Sequence, residues 1–597
     1  MARSKKPLTR KSTVMHADTQ LMQRGIHELQ RGNLPAAQAV CARILASAPR
    51  DAEALNLQGM IAHRRGDFAR AVSCYDAAIA AKPDAAGYHN NLGVSLHAMG
   101  RIHEAANAYR QAAALNPKSA QIQFNLGNTL RELGSTEEAI IALREAIRLQ
   151  SDAPEFHYGL GVALAAALKM DEAAEVYRTA VRLRPDYVDA WINLGNALQA
   201  LGQKEAAVEA HLRAVALRPA SADTHNSLAL SLYGTGDLEG SLREFRQAAT
   251  LRPGFASAWS NLANVLRDVG QVHEAVAAYR RAISIQVDHP DARKNLALVQ
   301  LLLGDYANGF LEYEWRFKVA GALKRKFERP QWAGEDPGGK TIFIHEEQGF
   351  GDVIQFARYA SVLANRGAKV LLGCRPQLGR LMAGCAGVSQ VVVAGQRLPP
   401  FDLHCPMLSL PLFCQTTTLA SVSGEVPYIR LDDGVLRPWR ERVPPTQRRK
   451  VGLCWAGNPE NRNDRYRSIP LEKFVPLAAD GEVEFHSLQF GPAAIERTRV
   501  SGLILADHEA DVTDFADTAA LIEQLDLVIT VDTAVAHLAG ALGKPVWILI
   551  HSAPDWRWLL DRTDSPWYPS ARLFRQREGW DEVIEELAVQ FSLWLSR

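Results

Sequence analysis

No stretch of this 597-residue sequence approaches the run of about 18 apolar residues that a membrane-spanning helix needs. The opening, MARSKKPLTRKSTVMH, is basic and polar and lacks the apolar core of a secretory signal. Residues 1–16 therefore read as a disordered, solvated tail, and the chain as a cytoplasmic protein. Cysteine is scarce. Cys41, Cys74, Cys374, Cys385, Cys405, Cys414 and Cys454 form no C-x-x-C pair and show no zinc spacing, which suits buried thiols in a reducing compartment. An excess of one charge is also missing: Lys+Arg 67 against Asp+Glu 66 leaves +1, so nothing electrostatic points to nucleic acid. Neither G-x-G-x-x-G nor G-x-x-x-x-G-K-[ST] occurs, which removes the dinucleotide fingerprint and the P-loop. There is no D-x-D, so nothing suggests a metal held for a diphosphate, and no cofactor is expected.

What is present is length and repetition. A chain this long exceeds one core, so two to four domains are expected. NLGVSLHAMG (91–100), NLGNTLRELG (125–134), GLGVALAAAL (159–168) and NLGNALQALG (193–202) recur every 34 residues. The register continues through SLALSLYGTG (227–236), NLANVLRDVG (261–270) and NLALVQLLLG (295–304), giving about nine units over 17–317. Each carries a small residue in its first helix (Gly93, Gly127, Gly161, Gly195) and another twelve positions on (Ala105, Ala139, Ala173, Ala207). An aromatic usually follows four later, as at Tyr75, Tyr109 and Tyr177. Two antiparallel helices pack closely only where small residues sit at the crossing, and the aromatic is expected to fill the groove to the next pair.

The pattern resembles the tetratricopeptide repeat, which implies an α-solenoid whose concave surface binds peptides or proteins. Asn91, Asn125, Asn193, Asn261 and Asn295 recur just before the repeated leucine. Asparagine is a mediocre helix former, so its repetition costs some stability. In this repeat type that slot faces the groove, where an amide can donate to and accept from an extended backbone. The series resembles the asparagine ladder of protein O-linked N-acetylglucosamine transferases. Asparagine also belongs to the repeat consensus of pure scaffolds, and both readings place a polypeptide in the groove.

Residues 318–339 lose the period and gain Gly, Pro and charge, as a linker or strap would. Beyond them, short apolar runs alternate with helical segments: TIFIH (341–345), KVLLGC (369–374), SQVVVAG (389–395), VGLCW (451–455), VEFHSLQ (483–489), GLILAD (502–507), DLVIT (526–530) and PVWILI (545–550). That alternation indicates parallel sheets of Rossmann type. The Pro- and Arg-rich gap around 431–450 separates one lobe at 340–430 from a second at 449–597, which ends in an amphipathic helix. Two such lobes resemble the GT-B glycosyltransferase architecture, in which ligands lie at the C-terminal ends of the strands.

Three loops there carry chemistry. After the first strand, Gly349 and Gly351 are expected to permit a tight turn and Asp352 to open a helix, either as an ordinary cap or as a functional carboxylate. In VGLCWAGNPENRNDRYRSIPLEKF (451–474), Gly457 and Asn458 precede Arg462, Arg465 and Arg467, whose forks suit a diphosphate or form a solvated basic loop. In DLVITVDTAVAHLAGALGKPVWILI (526–550), Asp532 and Thr533 are expected to cap the following helix. Ala534 and the other small residues let its N-terminus approach a ligand, and His537 faces either the cleft or the core.

In this order and context the three stretches resemble glycosyltransferase family 9, the ADP-heptose heptosyltransferases. The whole of about 20–590 resembles bacterial tetratricopeptide-repeat proteins that carry a family-9-like C-terminal domain. The resemblance implies that Asp352 deprotonates the acceptor and that Arg467, where the family usually has Lys, holds the donor phosphates. It also implies that Asp532 and Thr533 contact sugar and phosphate, and that His537 is the motif histidine. The donor set is then Gly351, Gly457, Asn458, Arg465, Arg467, Asp532, Thr533, Ala534 and His537. The half-domain at 340–430 is shorter than in free-standing heptosyltransferases, and the fused repeats suggest a polypeptide acceptor. The expectation is an inverting, metal-independent transfer from a nucleotide-diphospho-sugar to a protein. One alternative is a binding scaffold with an inactive transferase half. The other is a lipopolysaccharide or peptidoglycan enzyme with the repeats as adaptor.

Overall fold

Each repeat is built on a contact between its own two helices. A Cβ at Gly93 would meet the Tyr109 ring at 2.7 Å, one at Gly161 the Tyr177 ring at 2.4 Å, and one at Gly59 the Tyr75 ring at 2.5 Å. The aromatic therefore lies on the small residue of its own repeat, and it also reaches the next pair: Tyr75 meets Ser95 and packs with Leu92, Tyr109 packs with Leu126 and Leu130, and Tyr177 meets Asn193. The structure is a computed structural model that describes residues 10–322, 325–422, 425–460, 464–478 and 483–596. Helices run in antiparallel pairs from Arg10–Gln30 to Tyr306–Tyr313. The first begins at Arg10, so 10–16 are helical where a tail was expected, and residues 1–9 lie outside the described residues. No helix among the described residues is long and apolar enough to cross a membrane. All seven cysteines are buried free thiols.

The chain forms two compact units, 1–253 and 254–597. The first holds the helix pairs through Leu238–Leu251. The second begins with the pairs Ala256–Asp268/Val272–Ile285 and Pro290–Leu302/Tyr306–Tyr313 and continues into the α/β region. Tyr306, fully buried, takes a hydrogen bond on its hydroxyl from the Trp567 indole at 3.1 Å and meets the Trp556 ring edge-on. The last repeat thus shares a core with the α/β region. The segment after it is a strap: Trp332 is fully buried and its backbone N–H donates to the His404 carbonyl at 2.8 Å, while Phe327 packs on Phe343 and His404.

The α/β region holds two parallel sheets. The first contains β1 (Thr341–His345), β2 (Lys369–Cys374), β3 (Val388–Val393) and β4 (Leu403–Pro406) in the order β3-β2-β1-β4. The second contains β5 (Arg449–Cys454), β6 (Val483–Ser487), β7 (Leu505–Ala506), β8 (Leu527–Val531), β9 (Val546–Ile550) and β10 (Ala571–Arg575) in the order β10-β9-β8-β5-β6-β7. That is the strand order of a dinucleotide-binding sheet, with β5 first and β8 fourth. Strands β4 and β10 were not expected. LHCP is short and ends in proline, and ARLFR carries two arginines at the sheet edge. The run at 502–507 contributes only the two residues of β7, and the gap around 431–450 holds a helix, Asp433–Arg442.

Turns between paired helices use glycine at positive φ, as at Gly100, Gly134 and Gly202. In the unit reading GLGVALAAAL the same position is Leu168, at φ 60° and 81% exposed. A left-handed leucine costs about 1–2 kcal/mol, and its exposed side chain recovers little. Leu168→Gly is expected to stabilise the protein by about 0.5–1 kcal/mol after the greater chain entropy of glycine is deducted. An unchanged or lowered urea midpoint would refute it.

Candidate functional site

The chain leaves β5 toward β6 but leaves β8 toward β9, so a crevice opens between the C-terminal ends of these two neighbours. Two loops line it. After β5, Gln489 Oε1 accepts from the Trp455 and Ala456 N–H groups, at 3.2 and 2.9 Å, and fixes the exit of the chain. A Cβ at Gly457 would crowd Asp464 Oδ1 and Arg467 Nη2, so glycine lets both side chains keep these positions. Arg467 Nε donates to Asp464 Oδ1 at 3.0 Å, and its Nη1 donates across the crevice to the Asp532 carbonyl at 2.9 Å. After β8, Thr533 stands at the start of the helix Ala534–Ala541 without capping it with its side chain. Its hydroxyl pairs instead with Thr530 Oγ1 at 3.1 Å. The expected cap is not made, because the hydroxyl turns back to the strand.

A third loop, after β9, was missed at the sequence level. Asp555, Arg557 and Trp558 follow it, and Arg557 is only 8% exposed. Its Nη1 donates to Asp555 Oδ1 at 2.8 Å and its Nε to Gln355 Oε1 at 2.6 Å, while Nη2 is ion-paired with Asp352 Oδ1. Its guanidinium also lies over the Trp556 ring at 4.5 Å. Asp352 comes from the first lobe, and its Oδ2 accepts from the Gly349 N–H at 2.7 Å at the start of the helix Phe350–Phe356. Burial alone would loosen the Arg557 proton, but the Asp555 and Asp352 carboxylates outweigh it and hold the cation firmly. Burial, then the Asp555 carboxylate, pushes Asp532 up to about 6. The signal available in the sequence was an arginine between two tryptophans just past a buried strand, and its partner lies about two hundred residues away.

His537 points into the protein. It stacks on Trp558 at 5.3 Å, its Nδ1 pairs with the Tyr568 hydroxyl at 2.9 Å, and burial lowers its pKa to about 3. A Cβ on Gly351 would meet His537 Cδ2 at 2.7 Å. Gly351 is thus required by packing between the two lobes. Neither it nor Gly349 has a positive φ, so the four-residue turn from β1 to the helix Phe350–Phe356 does not draw on the conformational freedom of glycine. Asn458 is exposed and accepts from the Glu460 N–H, and Arg465 is exposed with Nη2 on the Tyr466 hydroxyl at 2.6 Å. Arg462 lies outside the described residues.

The asparagines are half-buried in their helices. In the first unit, Asn91 Nδ2 donates to Asn56 Oδ1 and Asn125 Nδ2 to Asn90 Oδ1, both at 3.0 Å, and Asn193 Nδ2 donates to the Tyr158 hydroxyl at 3.3 Å. In the second unit, Asn295 Nδ2 donates to Asn264 Oδ1 at 3.0 Å. Asn261 lies in the helix Ala256–Asp268 of that unit. Each of the four bonds ties one repeat to the repeat before it. A cavity of about 490 Å³ in the first unit is lined by Asn125 and Asn128 together with Phe124, Tyr158 and Tyr187.

Models of the tetratricopeptide repeat match residues 22–86, 90–154, 192–256, 226–286 and 260–314, and a further repeat model matches 169–202. The model of glycosyltransferase family 9 (heptosyltransferase) matches 510–577. That stretch contains Asp532, Thr533, Ala534, His537, Asp555 and Arg557, whereas Asp352 and Arg467 lie outside it. The chain therefore carries tetratricopeptide repeats across its N-terminal region and a glycosyltransferase family 9 region near its C-terminal end. Among curated proteins it is similar to Protein FlbA of Caulobacter vibrioides, 27% identical over 333 residues that cover 49% of this chain and 53% of that one. It spans about half the length of that relative. Among solved structures it is similar to YrrB, titled a TPR protein with an unusual peptide-binding site, at 27% identity and TM-score 0.28 over 31% of this chain and 96% of that. It is also similar to pilF of Pseudomonas aeruginosa, at 20% identity and TM-score 0.32 over 34% and 93%.

A carboxyl raised above its ordinary value holds its proton more tightly in the folded state. Stability from Asp532 is therefore full below the ordinary carboxyl range and is lost as pH rises through about 6. Asp532→Asn, which resembles the protonated form, is expected to exceed the parent by about 1–2 kcal/mol in urea unfolding near neutral pH, converging with it toward about pH 4. A pH-independent difference would show that Asp532 does not titrate in this window.

Proposed function

We propose that the chain is a glycosyltransferase that moves a sugar from a nucleotide-diphospho-sugar to a polypeptide held by the repeats, with inversion and without a metal. The reading rests on one observation: Arg467 and the start of the helix Ala534–Ala541, which lacks a side-chain cap, flank the β5/β8 crevice, and Arg557 links Asp352 to the loop after β9. In a single displacement the acceptor hydroxyl oxygen bonds to the anomeric carbon as the bond from that carbon to the diphosphate oxygen breaks. The hydroxyl proton passes to Asp352. A carboxylate has about four acceptor positions, so the Gly349 and Arg557 bonds leave room for it. Charge on the departing diphosphate meets Arg467 Nη2 and the N–H groups of the helix start.

One observation favours the second reading, a protein-binding scaffold with an inactive transferase half. Asp352, Asp464, Asp532 and Asp555 outnumber Arg467 and Arg557, and both arginines are already paired. Titration with UDP-, GDP-, ADP- and CMP-sugars separates the readings, since a scaffold binds none. With an active donor, Asp352→Asn is expected to lower transfer at least about a hundredfold while donor affinity stays within a few-fold. Arg467→Ala should weaken donor binding by about 1.5–3 kcal/mol. Replacing Asn193, Asn261 and Asn295 together by alanine should reduce protein transfer but spare donor hydrolysis. Equal loss of both, or of neither, would count against a groove-held acceptor.

A further inference from the structure

Tyr466 is 51% exposed at the mouth of the crevice, although the core has no use for its ring there. It sits beside Arg467, and its partner is His551, the first residue after β9. The two rings are nearly parallel, 27° apart, with centroids separated by 6.5 Å. That is close to the roughly 7 Å occupied when a third planar ring lies between two others at carbon contact distance. We propose that Tyr466 and His551 form the slot that takes the nucleobase of a nucleoside diphosphate. This rests on the donor reading above and adds where the nucleoside lies and what holds it.

Both rings are tethered by neighbouring groups. Arg465 lies over the Tyr466 ring with its guanidinium carbon 4.6 Å from the centroid, and its Nη2 donates to the tyrosine hydroxyl at 2.6 Å. The Ala553 N–H donates to His551 Nδ1 at 3.2 Å, which puts the ring proton on Nε2. Burial, and then the nearby Arg467 cation, lowers the His551 pKa and so keeps the ring neutral. A neutral aromatic wall with one N–H donor suits a heterocycle better than it suits an anion. The direction follows from the neighbours. With the diphosphate at Arg467 and the sugar end toward Asp352, the nucleoside is left to run along the loops after β5 and β9. Stacking alone accepts any base, so the slot selects for a base without choosing among bases.

The test uses calorimetric titration of the full chain with UDP, ADP and inorganic pyrophosphate. Tyr466→Ala and His551→Ala are expected to weaken UDP and ADP about tenfold to a hundredfold, the usual scale for one stacked base. Pyrophosphate affinity should not change, and Tyr466→Phe should bind as the parent does. Undiminished nucleotide binding by Tyr466→Ala overturns the slot. So does a parallel loss of pyrophosphate, which would mean that the Arg467 loop had collapsed. If the parent binds pyrophosphate as tightly as UDP and ADP, the slot fails while the diphosphate site stands. If it binds none of the three, the donor reading fails and the slot with it.

Discussion

A buried guanidinium sets most of what surrounds it. Arg557 cannot lie in the interior without acceptors, because removing a buried charge from water costs several kcal/mol unless it is paired and hydrogen-bonded. Asp555, Gln355 and Asp352 supply those acceptors from both lobes, and the Trp556 and Phe356 rings close over the cation. The orientation of the Asp352 carboxylate is thus a consequence of charge compensation. The same cluster bears on Asp532: burial, and then the Asp555 carboxylate, makes it hold its proton up to about pH 6.

Around this pair the lobes meet through groups that cannot easily part. Arg358, 1% exposed, donates to the Trp567 carbonyl at 2.8 Å, and the Tyr428 N–H donates to the Ala541 carbonyl at 3.1 Å. Arg380 bridges to Asp514 with both nitrogens, at 2.7 and 2.8 Å. Opening the seam would expose a buried arginine and break these bonds together. A ligand therefore meets a preformed crevice, and the side chains free to adjust are the exposed ones at its mouth, Arg465 and Tyr466.

How much of this was legible in the sequence depended on whether the cause was local. The 34-residue period and the strand runs were readable, because close helix pairing needs glycine or alanine at fixed spacing and buried parallel strands need continuous apolar runs. The loops after β5 and β8 were readable as loops for the same reason, since each begins where an apolar run stops. Strands β4 and β10 were not, since their pairing comes from a neighbour and not from their own composition. His537 could not be oriented, because the choice between cleft and core was made by Gly351, Trp558 and Tyr568 from elsewhere in the chain. Arg557 was invisible for that reason too. The recurrence of the asparagines was readable, but their bonds to the preceding repeat depend on Asn56, Asn90, Tyr158 and Asn264, which the repeat pattern does not single out.

The charge balance of the crevice limits how an anion could be held there. Among the described residues, four crevice carboxylates outnumber Arg467 and Arg557, which are already ion-paired, so a diphosphate must compete for these cations or be held by dipoles. Three features answer that constraint without adding charge. The helix Ala534–Ala541 lacks a side-chain cap, Arg467 keeps Nη2 clear of its two bonds, and Asp532 can become neutral near pH 6. Recognition of this kind depends on backbone N–H groups and on a proton more than on net charge. It also gives a stacked heterocycle more of the affinity to supply, because the phosphates alone gain little from a site whose carboxylates outnumber its guanidiniums.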